Sequence, residues 1–165
     1  MKFRTASIAA IFAASAILGS AQAGYSSSDT DFVTQAQSDL LGQYALAALA
    51  RSKASNPNAK ALANQIATNA DSANNFLKRY AAAHNVALPN KPGVRTDMQY
   101  GDLQSDKGSS FDKQFAQDIN VDVQMQVGDF QDGASSASDP SLKAFAKQQV
   151  AELQKISVQA AKLEH

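Results

Sequence analysis

Four segments of the chain carry apolar residues at the spacing of one helix face, and this pattern restricts the possible folds more than any other feature. The segments span residues 31–54, 57–85, 110–132 and 140–163. In each of them apolar side chains recur at every third or fourth position, which is the period of an amphipathic α-helix. The sequence therefore predicts an all-α fold with four long helices. The residues assigned to the buried faces are, in chain order, Phe32, Ala36, Leu40, Leu41, Tyr44, Ala48, Leu49, Leu62, Ile66, Ala70, Ala73, Leu77, Tyr80, His84, Phe111, Phe115, Ile119, Val123, Val127, Phe130, Leu142, Phe145, Gln149, Leu153, Ile156, Ala160 and Leu163.

The connections between these segments differ in length and composition. Asn56-Pro57 and Asp139-Pro140 each offer an N-cap side chain followed by a proline, which predicts the start of a helix after a short turn. Residues 133–138 are small and predict a break before the last helix. Residues 86–108 hold two prolines and three glycines, so they predict a long loop with one short turn near residues 98–103.

The long loop determines how the helices can be joined. A helix of about 25 residues is roughly 38 Å long, and a loop of about 23 residues can span up to about 76 Å. The loop can therefore run the whole length of the bundle and place the third helix parallel to the second. Two helical hairpins joined by one long crossover form the ferritin-like four-helix bundle, which is the predicted architecture.

The two halves of the predicted bundle resemble each other at one constant offset, the one that places Asn56 on Asp139. At this offset Asn56-Pro57 corresponds to Asp139-Pro140, and Lys60-Ala61 corresponds to Lys143-Ala144. Several apolar positions correspond as well. This similarity predicts two hairpins related by a pseudo-two-fold axis.

The N-terminal segment, residues 1–23, has the composition of a secretory signal peptide. Lys2 and Arg4 form a basic start, residues 6–18 are apolar, and Ala21-Gln22-Ala23 supplies the small residues of a cleavage site. The apolar stretch is shorter than the roughly 20 residues that span a bilayer. We expect residues 1–23 to be a signal peptide, residues 24–30 a flexible leader and residues 31–163 the bundle domain. The expected location is the periplasm or the secreted fraction.

Charge and cysteine content exclude several classes of partner and site. The chain has 15 basic and 15 acidic residues, and loss of Lys2 and Arg4 would leave a net charge of about −2. A chain without a basic stretch is a poor ligand for nucleic acid, whose binding depends on neutralising phosphates. There is no cysteine, which excludes disulfides and thiolate chemistry. No second long apolar segment follows residue 23, so no membrane-spanning segment is expected after cleavage.

Several short phrases, taken in their order and spacing, resemble the DUF4142 family of exported bacterial proteins. The phrases are Asp31-Phe32-Val33, Ala73-Asn74 with Leu77, Phe111-Asp112 with Phe115, and Asp139-Pro140 with Leu142-Lys143-Ala144-Phe145-Ala146. The resemblance extends over about residues 31–163. It implies a ferritin-like bundle, and the family has no established activity.

The resemblance also implies where a polar interior site would lie. The family pattern has a Glu on the first helix and a His on each of the other three, all facing the interior. The corresponding residues in this chain are Gln43, Ala70, Val123 and Ile156. None of them is a strong metal ligand, although Asp122 keeps the acidic neighbour of the third-helix position. The resemblance therefore implies the fold without the polar site, and no cofactor is predicted.

The remaining candidate metal ligands are few. A di-metal bundle needs about four carboxylates and two histidines, with Glu-x-x-His spacing on two helices. Glu152 and Glu164 are the only glutamates, and neither is followed by a histidine at that spacing. Asp118 and Asp122 lie one helical turn apart and could bind a cation or share a proton, but a solvated helix flank is the competing interpretation. For His84, a capping or packing role competes with a functional one.

No catalytic residue is predicted, because the serines cluster in turns and lack a Gly-x-Ser-x-Gly setting. His165 belongs to a terminal Leu-Glu-His that resembles the start of an expression tag, or is native, and it carries no argument. The expected function is that of a non-enzymatic exported bundle, with a stress- or envelope-related role as one option, acting through its surface on an unknown protein partner or on itself. One alternative is a metal-binding or redox bundle. Another is a small-ligand binder that uses Gln43, Gln126 and Gln149 between its helices.

Overall fold

The computed structural model describes residues 27–164, and the regular structure in this range is entirely helical. The five helices are α1 Ser27–Lys53, α2 Pro57–His84, α3 Val94–Ser105, α4 Gly108–Ser136 and α5 Pro140–Ala161. The predicted all-α fold is confirmed. The predicted signal peptide and residues 24–26 of the predicted leader lie outside the described range.

The four long helices form two hairpins, α1 with α2 and α4 with α5. Contacts at the two ends of α1 give the direction of α4. Asp29 near the start of α1 accepts a hydrogen bond from the Ser138 backbone N–H, whereas Ser55 after its end donates to Asp112 near the start of α4. Hence α1 and α4 are antiparallel and α4 is parallel to α2. The crossover does run the length of the bundle, as the ferritin-like arrangement requires.

The internal repeat is visible as contacts that recur at the offset placing Asn56 on Asp139. The contact between Asp29 and Ser138 is repeated by Asp112 and Ser55, with donor–acceptor distances of 2.8 and 3.0 Å. The Gln37–Asn74 hydrogen bond of the first hairpin has its counterpart between Asn120 and Ser157 in the second. Gln43 bonds to Gln126, its own equivalent, as expected for residues beside a two-fold axis. These contacts confirm the predicted pseudo-symmetry.

The long crossover contains a helix of 12 residues where the sequence predicted only a short turn. Leu103 of α3 is fully buried, and Thr96 lies so close to Gly42 of α1 that a Cβ atom there would overlap the Thr96 hydroxyl. The Lys53 ammonium donates to the Leu103 and Gln104 carbonyls at the C-terminal end of α3. The prediction was wrong because α3 is stabilised by packing on α1, which the loop-like composition does not reveal.

Two helix boundaries also differ from the predicted ones. Helix α1 begins at Ser27, inside the predicted leader, and Asp29 is 1% exposed because it is bound to the turn before α5. Helix α4 continues through the predicted break to Ser136. Gly133 is buried in that helix, where a Cβ atom would lie 2.5 Å from the ring of Phe32. The small residue thus permits close helix packing and does not end the helix.

The buried face of α1 is rotated from the predicted one. Tyr44 is 41% exposed and Ala48 is also exposed, although both were assigned to the core. Gln37 and Gln43, which were not assigned to the buried face, are each 2% exposed and belong to it. The prediction was wrong because buried amides broke the apolar pattern of this helix. On α2, α4 and α5 the predicted faces are confirmed at nearly every position, and Ile156 is fully buried.

Candidate functional site

The centre of the bundle contains one buried pair of amides. The Gln43 Nε2 donates to the Gln126 Oε1 at 2.6 Å, and each side chain is 2% exposed. The Oε1 of Gln43 has no hydrogen-bond partner among the described residues. Ala70, Val123 and Ile156, the other positions implied by the family pattern, are buried and apolar. Within residues 27–164, the four positions that the family pattern implies therefore offer one glutamine, bonded to Gln126, beside three aliphatic side chains.

Gln149 is not bonded to this pair of amides. It is 3% exposed, and its Oε1 accepts a hydrogen bond of 3.1 Å from the Asn69 Nδ2. That contact joins α5 to α2. The structure therefore brings together Gln43 and Gln126 of the three predicted ligand-orienting glutamines and separates Gln149 from them.

Gln149 lies at a long groove between α2 and α5, with a cavity volume of about 860 Å³. This volume is within the range of small-molecule sites. The residues that line it are mostly amides and hydroxyls, with two phenylalanines and one charged residue of each sign: Asn64, Gln65, Thr68, Asn69, Ser72, Ala73, Phe76, Arg79, Ser141, Ala144, Phe145, Gln148, Gln149 and Glu152.

The floor of the groove is chemically divided along its length. At one end the rings of Phe76 and Phe145 stack with centroids 4.2 Å apart and planes within 9° of parallel. In the middle the Asn69–Gln149 hydrogen bond crosses from helix to helix. Arg79 lies toward the aromatic end and Glu152 toward the other, about 20 Å apart along the axes at 1.5 Å per residue. The middle of the groove is therefore neutral and rich in amides.

The opposite face of the bundle, between α1 and α4, is covered by α3. Arg95 of α3 lies 3.1 Å from the Asp122 carboxylate, and the Gln99 amide donates to the same oxygen at 3.1 Å. The carboxyls of Asp39 and Asp129 interact with this arginine as well. The two faces that the pseudo-two-fold axis crosses thus differ, because α3 fills one and the other forms the groove.

Burial affects the protonation of the aspartates under α3. It raises the pKa of Asp39 from its usual 3.8 to about 6, opposed by the hydrogen bond from Gln35. It also raises the pKa of Asp122, opposed by the bond from Gln99 and by Arg95. Both pKa values rise because the free-energy cost of desolvating the carboxylate exceeds the stabilisation from nearby hydrogen bonds and from Arg95.

Asp118 and Asp122 do not form the predicted paired site. Asp122 is 4% exposed and is engaged by α3, whereas Asp118 accepts a hydrogen bond from Gln114 on its own helix. Burial raises the pKa of Asp118, and the charge of Asp122 adds to the effect. The solvated-flank interpretation was wrong for Asp122, because a helix that the sequence did not predict covers that face.

His84 ends α2 and packs at the end of the bundle. Its ring lies 4.1 Å from that of Tyr80, and its Nε2 is 3.9 Å from the Asp139 carboxylate. Asp139 caps α5 by accepting hydrogen bonds from Ser141 and Leu142. The bond from Ser141, together with the other cap bonds and His84, lowers the pKa of Asp139. This position agrees with a packing role at the junction of α2 and α5.

Within residues 27–164, no three His, Asp or Glu side chains converge in a way that could hold a metal ion. None of the helices described there is long and apolar enough to cross a membrane. The groove and the cluster under α3 were missed in the sequence. One signal for the cluster was available, since Asp39 and Asp122 are equivalent positions under the repeat.

Comparisons with known proteins agree with the architecture. A family model described as a domain of unknown function, DUF4142, matches residues 14–163. No curated protein matches the sequence. Among solved structures, the chain is similar to a DUF305 fragment from Deinococcus radiodurans, with a TM-score of 0.77 and 12% identity over 85% of this chain and 97% of that one. At this identity the likeness shows a shared helical fold.

Proposed function

The chain belongs to the DUF4142 family, and from that premise we propose that it is an exported, non-enzymatic binding protein that acts through the groove between α2 and α5. This proposal rests on the difference between the two faces that the pseudo-two-fold axis crosses. Helix α3 covers the face between α1 and α4, whereas the face between α2 and α5 keeps a groove of about 860 Å³. A groove of this volume with polar walls is within the size range of small-molecule sites.

The arrangement around His84 supports a non-enzymatic role. In a nucleophilic triad the histidine lies between the nucleophile and the acid, so that it can accept the proton of the hydroxyl. Here the Ser141 hydroxyl donates to Asp139 at 2.6 Å, and Asp139 lies between Ser141 and His84. The carboxylate acts as a helix cap, and the order of the three groups does not suit proton abstraction from Ser141.

Export is the second part of the proposal, and it rests on the N-terminal sequence. Lys2 and Arg4, the apolar residues 6–18 and Ala21-Gln22-Ala23 form the pattern of a cleavable signal. We expect the mature protein to begin at Gly24 and to be released into the periplasm or medium. Intact-mass measurement of the exported protein tests this, and a soluble form that retains residues 1–23 would contradict it.

Site-specific photo-crosslinking in intact cells tests the use of the groove. A photoreactive amino acid replaces Gln148, which is exposed within the groove, or Ala48, which is exposed on α1 outside it. We expect a discrete adduct from position 148 that is absent from position 48. Equal yields from both positions, or none from either, would contradict a binding role for the groove. An adduct of twice the monomer mass would identify a second copy as the partner.

A further inference from the structure

We propose that the groove between α2 and α5 binds a neutral, hydroxyl-rich ligand of the saccharide class. This inference rests on the proposed function of the groove and assigns the chemistry of its ligand. A sugar presents alternating hydroxyl donors and acceptors along its edges and a less polar C–H face. A complementary site needs neutral groups that both donate and accept, beside an aromatic surface.

The walls of the groove supply neutral groups of this kind. An amide side chain offers two donors and one acceptor, and a hydroxyl offers both functions. Gln65 and Gln148 are equivalent under the repeat and face the groove from opposite helices. Neither makes a side-chain hydrogen bond within residues 27–164, nor do the Asn64 and Ser72 side chains. The groups nearest to an incoming ligand are therefore available to it.

The floor supplies the aromatic surface and also gives the groove a direction. Phe76 is partly exposed in the groove and is supported from below by the stacked ring of Phe145. The repeat does not reproduce this pair, because Gln159 and Leu62 are the equivalent residues. One end of the groove is therefore apolar and aromatic while the middle is amide-lined. This arrangement fits a ligand in which one sugar ring stacks on Phe76 and the next ring forms hydrogen bonds with the amide side chains.

The same features disfavour the other occupants. A second copy of the chain would bury an apolar interface core, whereas the centre of this groove carries the Asn69–Gln149 amide bond. Glu152 is already paired with Lys155 at 2.8 Å, and Arg79 lies at the aromatic end, so the amide-lined middle of the groove offers a charged ligand no opposite charge. A neutral ligand loses less free energy on leaving water. A peptide shares the hydrogen-bonding chemistry, and the test includes it as an alternative.

Nuclear magnetic resonance titration of the mature protein, with the side-chain amides observed directly, tests the inference. The probes are neutral tri- and tetrasaccharides of hexoses and of N-acetylhexosamines, a uronic acid trisaccharide and trialanine, each up to the order of 10 mM, which detects millimolar affinity. We expect saturable shifts of the groove amides with at least one neutral saccharide. The Gln65→Ala and Phe76→Leu variants should weaken that binding at least fivefold, and Gln154→Ala, exposed on α5 outside the groove, should leave it unchanged.

Each other result has a defined meaning. Shifts with trialanine or with the uronic acid trisaccharide, and none with the neutral saccharides, would overturn the ligand class while leaving the groove as a binding site. The same holds if no probe binds but crosslinking from position 148 remains specific. Saccharide binding that Gln65→Ala and Phe76→Leu leave unchanged would place the site elsewhere and overturn the inference. If neither titration nor crosslinking involves the groove, the proposed function fails together with it.

Discussion

Gly133 sets how closely α1 and α4 approach at one end of the bundle. Its Cα faces the ring of Phe32, and that ring is held edge-to-face against Phe130 with centroids 5.3 Å apart. Gly128 lies earlier in the same helix and has open space where a Cβ would be. The two glycines thus have the same helical backbone and opposite surroundings, which makes them a matched pair.

We expect Gly133→Ala to lower the free energy of unfolding by about 1–3 kcal/mol, because the added methyl group would overlap the Phe32 ring at 2.5 Å. Gly128→Ala should be neutral or stabilising by up to about 1 kcal/mol, since alanine is the better helix former. Urea unfolding followed by circular dichroism measures both. Similar values for the two variants would contradict the packing at Gly133.

Asp39 links stability to pH because it binds its proton more tightly in the folded chain. Its pKa is about 6 when folded and near 3.8 when unfolded, so its contribution is fully present below about pH 4 and is lost as pH rises through 6. Asp39→Asn removes this loss and can still accept the hydrogen bond from Gln35. Between pH 4 and pH 7 the variant should gain about 1–2 kcal/mol relative to the natural protein, after allowance for solvent screening. Urea unfolding at the two pH values measures the gain, and an unchanged difference would show that Asp39 is not desolvated.

These residues show why single positions were hard to assign from the sequence. The apolar pattern correctly predicted that Ile156 and Val123 are buried, because removal of apolar surface from water is the main reason why aliphatic side chains are buried. Gln43 and Gln126 were identified as polar groups near the core, but their mutual hydrogen bond depends on the angle between two helices. Asp39 was missed because it lies near Arg95 of α3, a helix that the sequence did not predict.

At the scale of secondary structure elements, the repeat produces the same stabilising contact twice, in which an aspartate near the start of a helix binds the backbone of a turn in the other hairpin. Asp29 of α1 binds the backbone of the turn before α5, and Asp112 of α4 binds that of the turn before α2. Asp112 also accepts a hydrogen bond of 2.8 Å from the Asn56 N–H. Each carboxylate thereby satisfies backbone groups that a helix hairpin leaves unpaired and joins one hairpin to the other.

We expect Asp29→Ala and Asp112→Ala each to lower the free energy of unfolding by about 1–3 kcal/mol, since backbone donors lose their partner. The two sites lie about 40 Å apart at opposite ends of α1, so the double variant should show the sum of the two effects. Asp71→Ala, exposed on α2, should stay within about 0.5 kcal/mol of the natural protein. Urea unfolding of the four variants and the natural protein tests this. A neutral Asp112→Ala, or strong non-additivity, would contradict independent tethers.

The long helices could be predicted and the short one could not, for a physical reason. Helices α2 and α5 begin with an N-cap and a proline and continue with a regular apolar stripe, so local sequence determines where they start. Helix α3 has two glycines within or beside it and only two buried residues, Thr96 and Leu103. Its formation depends on contact with Gly42 and Lys53 of α1, which are distant in sequence.

At the scale of the whole molecule, α3 makes the pseudo-symmetric bundle asymmetric, because it covers the face between α1 and α4 and leaves the face between α2 and α5 open. The crossover that joins the hairpins passes over α1 and α4, and its helix is fixed there by Arg95 and Lys53. No corresponding segment is available for the face between α2 and α5 within residues 27–164. The groove could not be predicted from the sequence, because its width is set by the spacing of two helices. Its lining of amides on α2 and α5 was nevertheless present in the pattern of polar residues.

Metal content separates a binding bundle from a redox bundle. Sites for iron, manganese, zinc or copper need imidazole, carboxylate or thiolate groups that converge from several helices. Gln43, Ala70, Val123 and Ile156 are buried at the positions where the family pattern implies ligands. Of these only Gln43 has an atom that could bind a metal, and one neutral amide oxygen cannot complete a metal site. The most buried carboxylate on α4, Asp122, is engaged by Arg95, whose positive charge opposes a cation at that place.

We therefore expect tag-free protein to contain well below one metal ion per chain by inductively coupled plasma mass spectrometry. Its melting temperature should not change when a chelator is added. A metal present at 100 times its dissociation constant would stabilise the fold by about 2.7 kcal/mol, which corresponds to a shift of several degrees for a domain of this size. Titration with Zn²⁺, Mn²⁺ or Fe²⁺ should likewise leave the melting temperature unchanged. One tightly bound ion per chain, or a chelator-induced decrease of that magnitude, would contradict the non-enzymatic proposal and favour a metal-binding bundle, because only a ligand that prefers the folded state can raise its stability.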